Sequence, residues 1–400
     1  MASSVATPAV RGRRPPVAEL LETARELVAR CDDDLLRELP AGVEVFDAHV
    51  HLGRDSDGMV ADFGELLWTF ERYGISRAFA FCLDEPDREP AFKAPNNRTL
   101  EHAARSDGCL IPFVRLDLAD DPIGEATRCL DRGARGIKLH PRAQAFGLDD
   151  GRLAAVFAVA AERRVPILIH GGHGLPPIAA HLLALVEAHP GSQLIVAHAG
   201  VADMANLARR FAGLEGVFFD TSTWSPIDLL DLFRRVPSEQ ILYGSDYPYG
   251  QQPSSLFGTR RVMSVAGLDE ERIHAVLGEN AGRIADGKAP LAPAPPAGPA
   301  VLSQPLVLAR IHQYLSMAAP LLWMQRRDSI GVVDLAVSAC DEDDAPELGR
   351  IRRMLETARD LWRSVADIEG YAGKRTAARA TFQLIQLADI LVVTSGGERA

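Results

Sequence analysis

Between about residues 43 and 265 the chain alternates eight apolar segments with eight helical ones, a repeat that few folds can accommodate. The apolar segments lie near 43–50, 77–83, 109–116, 135–140, 165–170, 193–198, 216–221 and 240–245. The helical ones lie near 63–73, 96–107, 122–132, 152–163, 176–188, 203–212, 226–235 and 254–265. The apolar runs are mostly continuous, which predicts parallel strands buried on both faces. Eight strand–helix units are the number that closes such a sheet on itself. The expected fold class is therefore α/β: a (β/α)8 TIM barrel with an N-terminal helix over 17–39 and a C-terminal all-helical appendage.

Local signals divide the chain further. Asp150, Asp203, Ser254 and Asp269 precede periodic runs and are expected to cap helices, and a helix over 268–285 ends the barrel. Residues 1–16 hold basic side chains without the apolar core of a signal peptide, and read as a disordered tail. The barrel with its leading helix takes 17–288. A Pro/Ala-rich linker follows over 289–300, where repeated prolines favour an extended chain. Residues 301–400 show helical periodicity only, for example Ile351, Met354, Leu355, Ala358 and Leu361, with a capping box expected at Asp344 and Glu347. No motif there carries chemistry, so 301–400 is the expected seat of self-association or of a protein partner.

A formal net charge of −11 with no long basic run argues against a nucleic-acid surface. No stretch approaches the roughly 20 apolar residues needed to span a bilayer. The five cysteines, Cys31, Cys82, Cys109, Cys129 and Cys340, are scattered without a CxxC pair, as in reduced proteins. These features predict a cytoplasmic protein with a small-molecule substrate. A P-loop, a dinucleotide fingerprint and a serine nucleophile elbow are all missing from the sequence.

The chemistry is expected where polar residues end the apolar runs, because a barrel of this kind works at the carboxyl ends of its strands. Val45-Phe-Asp-Ala-His49-Val-His51 places two imidazoles two residues apart, on one strand face. His170 and Asp246 end the fifth and eighth segments and complete three nitrogens and one carboxylate oxygen. Zinc favours that mixture, with an open position left for water. His198 ends the sixth segment, between His170 and Asp246 in barrel order.

Taken in order, Asp47-Ala-His49-Val-His51, His170, Ala197-His198-Ala-Gly200, Tyr243-Gly-Ser-Asp246-Tyr-Pro248 and Gly278-Glu-Asn-Ala281 resemble the amidohydrolase superfamily over about Val43 to Ala285. The resemblance is to its amidohydrolase-related branch, which includes metal-dependent hydrolases and decarboxylases of the aminocarboxymuconate-semialdehyde type. It implies His49, His51, His170 and Asp246 as metal ligands and His198 as the histidine that assists bound water or polarises the substrate. It implies one divalent metal, zinc in first place, that lowers the pKa of bound water. Asp246 would then take up a proton, and His198 would stabilise a developing oxyanion. Two metals remain open, because the superfamily's two-metal members bridge the ions with a carboxylated lysine at the place of Lys138.

Other residues are candidates of lower rank. His140 shares a face with Lys138 and stands as a pocket residue or a support for a ligand. Arg115 and Arg142 could pair with a substrate carboxylate, His173 lies in a glycine-rich loop after His170, and Trp224 could wall the pocket. Asp47 is expected to hold backbone rather than metal. The leading functional expectation is hydrolysis of a small amide, lactone or ester by metal-activated water. The alternatives are non-oxidative decarboxylation or hydration of an unsaturated or aromatic carboxylic acid, and a non-catalytic barrel scaffold with a helical interaction domain.

Overall fold

A computed structural model describes residues 15–298, 304–323, 329–342 and 346–395. All eight expected strands form: β1 (Val45–Arg54), β2 (Ile75–Cys82), β3 (Leu110–Arg115), β4 (Gly136–Leu139), β5 (Pro166–Ile169), β6 (Gln193–Val196), β7 (Val217–Asp220) and β8 (Ile241–Leu242). Each pairs in parallel with the next. The segment after β8 then returns to β1. Ala48 N donates to Tyr243 O at 2.7 Å, Asp246 N to His49 O at 2.9 Å and His51 N to Tyr247 O at 2.8 Å. Those bonds close the sheet into the expected α/β barrel. A short antiparallel strand, Val60–Ala61, pairs with the end of β1 and was not foreseen.

The barrel interior is layered by the two-residue period of its strands. Phe79, Phe113, Leu168, Ile195, Phe218 and Leu242 pack in one apolar cluster with Phe46 and Ala48. Two residues beyond Phe113, Leu168 and Phe218 come Arg115, His170 and Asp220, so the same alternation brings polar groups to the mouth. β1 needs a correction of phase, since His49 stands three residues beyond Phe46. Its register supplies one: Asp47 pairs with Ala78 but Val50 with Ala80, so β1 spends three residues where β2 spends two. This bulge re-aims the side chains after Ala48.

Below the cluster runs a helical stretch, Glu270–His274 and Asn280–Ala285, joined by a π-helical turn at Ala275–Glu279. Its Ala281 and Ile284 enter the apolar cluster. A Cβ at Gly278 would lie 2.2 Å from Glu44 O, so only glycine lets the turn approach β1 this closely. Asn280 Nδ2 donates to Ser238 O at 2.8 Å and to Ile241 O at 2.9 Å, tying the stretch to β8. The Gly278-Glu-Asn-Ala281 motif is thus a floor fitting.

The outer helices follow expectation: α2 (Phe63–Tyr73), α3 (Lys93–Ala104), α4 (Pro122–Asp131), α5 (Arg152–Arg163), α6 (Ala179–Ala188), α7 (Met204–Phe211), α8 (Pro226–Arg235) and α9 (Gln252–Val265) follow the leading helix α1 (Val17–Glu38). Asp269 caps its helix as expected, accepting from Arg272 N at 3.0 Å. Asp203 instead caps the start of α6, accepting from Ile178 N and Ala179 N at 3.0 Å each. Ser254 lies inside α9. Asp344 and most of the N-terminal tail fall outside the described residues.

The chain divides into two compact units. One holds Cys31–Gln304 with the residues from Val393 onward; the other holds the residues up to Arg30 with Pro305–Val392. The division falls within α1, at Arg30. The second unit's other helices are α10 (Leu306–Trp323), α11 (Ser329–Ala339), α12 (Pro346–Ser364) and α13 (Tyr371–Thr394). Ile351, Met354, Leu355, Ala358 and Leu361 are all buried, as their spacing predicts. By length and composition α13 could cross a membrane, contrary to the reading of the sequence, and 61% of its apolar window is buried within the structure.

Candidate metal centre

At the carboxyl ends of the strands the bulged β1 delivers His49 and His51 beside Asp246. Asp246 Oδ1 lies 3.3 Å from His49 Nε2 and 3.3 Å from His51 Nε2. That is longer than a usual N–H···O hydrogen bond. It equals the separation of about 3.3 Å between donors on a tetrahedral ion with bonds of about 2.0–2.1 Å. The donor atoms of His49, His51 and Asp246 all fall within 4.8 Å of one another. The donor set therefore fits one divalent ion.

Burial tunes these groups. It holds His49 and His51 well below the ordinary histidine range, so both imidazoles keep the lone pairs that ligation needs. Burial also pushes Asp246 up to about 6, against the pull of His198 and Lys138. Asp246 sits at φ 59° and His198 at φ 60°, left-handed conformations uncommon for residues with side chains. Backbone of that kind costs on the order of 1–3 kcal/mol per residue and gathers at functional sites.

Lys138 is fully buried, its Nζ 3.3 Å from His49 Nε2 and 4.6 Å from the centre of the Phe81 ring. Burial pulls its pKa down to about 7, against the attraction of Asp246 and Asp220. His51 Nδ1 faces Cys82 O at 3.5 Å. Asp47 holds backbone, as expected: Oδ1 accepts from His49 N at 3.1 Å and Ser245 N at 2.9 Å, and Oδ2 from Gln252 Nε2 at 3.0 Å.

His198 and His170 form a hydrogen-bonded pair whose tautomers follow from its acceptors. Ser222 O can only accept, so His198 Nδ1, 3.0 Å away, carries the proton. His198 Nε2 is then an acceptor, and His170 Nδ1 donates to it at 2.8 Å. His170 Nε2 is left with a lone pair, buried and without a hydrogen-bond partner. His170 is not among the donors grouped with His49, His51 and Asp246. His140 stacks on the His170 ring at 3.9 Å, and burial keeps it well below the ordinary histidine range.

The lower-ranked candidates scatter. Arg115 is buried, donates Nη1 to Cys82 O at 3.2 Å and stacks over Phe92. Arg142 and His173 are exposed, with Arg142 beside Gly174, and Trp224 is half-buried. Sequence reading passed over Asp220, at the end of β7, although it obeys the strand-end rule that picked out the others. It also passed over Tyr249, whose hydroxyl donates to Asp55 Oδ2 at 2.8 Å and whose ring lies 6.0 Å from that of His51.

No curated protein matches the chain. Solved structures that resemble it include 2,6-dihydroxybenzoate decarboxylase with bound 2,6-dihydroxybenzoate, at 17% identity and TM-score 0.49, covering 61% of this chain and 98% of that one. The Metarhizium anisopliae IDCase in apo form stands at 16% identity and TM-score 0.47, with 62% and 98% covered. A probable 2-pyrone-4,6-dicarboxylic acid hydrolase from Acinetobacter baumannii stands at 12% and 0.47, with 61% and 99% covered. The amidohydrolase family model matches residues 46–284, from the first residue of the apolar cluster in β1 to the helix beneath the barrel. The chain belongs to the amidohydrolase family.

Proposed function

We propose that the chain is a hydrolase of a small amide, lactone or ester, working with one divalent metal ion, zinc in first place. The observation that carries this reading is the carboxylate oxygen of Asp246 placed 3.3 Å from both His49 Nε2 and His51 Nε2. His170 completes the proposed ligand set, since its Nε2 lone pair has no hydrogen-bond partner. A bound ion supplies Lewis-acid polarisation of a substrate oxygen and acidifies coordinated water. Asp246, whose burial raises its pKa above the ordinary carboxylate range, is the candidate to take up a proton from the nucleophile. His198, protonated at Nδ1 against Ser222 O, accepts from His170 at Nε2 and so would act as a base only after that bond is exchanged. Only as an imidazolium would it donate to a developing oxyanion.

One ion is favoured over two because His170 and His198 are bonded to each other at 2.8 Å rather than opened toward a second ion. Burial lowers the pKa of Lys138, which favours the neutral amine that carboxylation requires. Hydrolysis is preferred to decarboxylation because Arg142 is exposed and Arg115 is partly engaged, Nη1 by Cys82 O at 3.2 Å and Nη2 4.0 Å from Asp84. Metal-loaded protein assayed against esters, lactones and amides, and in parallel for CO₂ release from unsaturated and aromatic acids, separates the readings. Hydrolysis lost in Asp246→Asn supports the proposal; CO₂ release alone transfers the site to the decarboxylase reading, and neither activity favours the scaffold.

A further inference from the structure

Asp220 ends β7 fully buried, with each of its carboxylate oxygens engaged. Oδ2 lies 2.7 Å from His49 Nδ1. Oδ1 accepts from His198 N at 2.8 Å and from Ser222 N at 3.0 Å, and Ser222 Oγ completes its shell at 2.5 Å. One side chain thus grips the imidazole of a proposed metal ligand and the backbone of the residue proposed to move protons.

Each grip has a chemical consequence. An ionised carboxylate only accepts, so the 2.7 Å contact puts the His49 proton on Nδ1 and leaves Nε2 as a lone pair facing Asp246. A carboxylate behind a ligating imidazole also raises its basicity and fixes its ring. The second grip holds a strained segment: His198 at φ 60° and Ala199 at φ 55° are both left-handed, and the bond to His198 N offsets part of that cost. The space between His49 and Asp220 is reserved by Gly244, where an added Cβ would lie 3.1 Å from His49 Cβ and 3.2 Å from Asp220 Cβ.

We propose that Asp220 is a positioning residue that makes His49 an Nε2 metal ligand and, through the same carboxylate, sets the backbone from which His198 reaches the site. The proposal rests on the metal-site reading of His49, His51 and Asp246. It gives a role to a residue that the family match does not assign, whose carboxylate also falls within 4.8 Å of donor atoms of His49 and His198.

The test uses cobalt(II), whose visible absorption reports its ligands, with full-length wild-type protein and Asp220→Asn. The amide keeps the shape but presents an NH₂ or a neutral oxygen to His49. Expected is a rise of about 10- to 100-fold in the cobalt dissociation constant with a shifted visible band, while far-UV circular dichroism is unchanged. Equal affinity and an equal spectrum in the two proteins overturn the role of Asp220 while leaving the metal site standing. Failure of the wild type itself to bind cobalt overturns the metal reading and this proposal with it. If Asp220→Asn does not fold, ¹⁵N-histidine-labelled wild type carries the test, with His49 assigned by its absence from His49→Asn. The Nδ1–H tautomer supports the proposal and the Nε2–H tautomer overturns it.

Discussion

Two layers of the same barrel, two or three residues apart along each strand, obey opposite rules. The lower one, Phe46, Phe79, Phe113, Leu168, Phe218 and Leu242, is apolar and closed by Ala281 and Ile284 from beneath. The upper one buries His49, Lys138, Arg115 and Asp220, with a histidine nitrogen left unpartnered and left-handed backbone at His198 and Asp246. Burying ionisable groups costs free energy that apolar burial must offset. The difference teaches that stability is concentrated in the lower layer and reactivity in the upper. Substitutions should therefore separate the two properties.

The largest effect on folding is expected from Phe79→Ala, which empties a site touching both Phe46 and Phe113. It should cost about 3–5 kcal/mol in chemical denaturation, with both layers lost in one transition. Gly278→Ala drives a methyl onto Glu44 O and should cost about 1–3 kcal/mol. Asp246→Asn, in the upper layer, should remove metal binding and turnover while the denaturation midpoint stays near that of the wild type. A fall comparable to that of Phe79→Ala would break the distinction.

A pH experiment sharpens the comparison on the α3–α4 side. Glu125 is buried, and despite that desolvation, hydrogen bonds from Arg128, Asn96 and Cys129 hold its pKa below the ordinary 4.5. A lowered folded pKa contributes stability that is present above the unfolded pKa and lost as pH falls through the folded one. Glu125→Gln should thus destabilise the protein by about 1–3 kcal/mol at pH 7, and the gap to wild type should narrow below pH 4.5 in thermal melts. The smallest effect expected is about 1 kcal/mol for Asp62→Ala, which removes the α2 cap bond to Glu65 N, with metal content unchanged.

The division also tracks what could be read from sequence. The lower layer was legible because period and apolarity are local, and so the strands and most helices fall close to their expected bounds. His49, His51 and Asp246 were legible as polar residues at strand ends. The bulge in β1 was not, because it exists only as a register against β2. Asp203 was assigned to the wrong helix start for the same reason: the amides it caps belong to a segment 25 residues away. Asp220 had the right position but no histidine beside it to draw attention. α11 went unread because its polar face is narrow, Gly331, Asp334 and Ser338, and is interrupted by the exposed Leu335, which blurs the period.

The account stands on the upper layer being a metal site, and elemental analysis tests that most directly. Wild-type protein produced with zinc supplied should carry about one divalent ion per chain, and the His49→Ala, His51→Ala protein should carry none while its circular dichroism is unaltered. Wild-type protein without metal, or a double variant that keeps a stoichiometric ion, would contradict it.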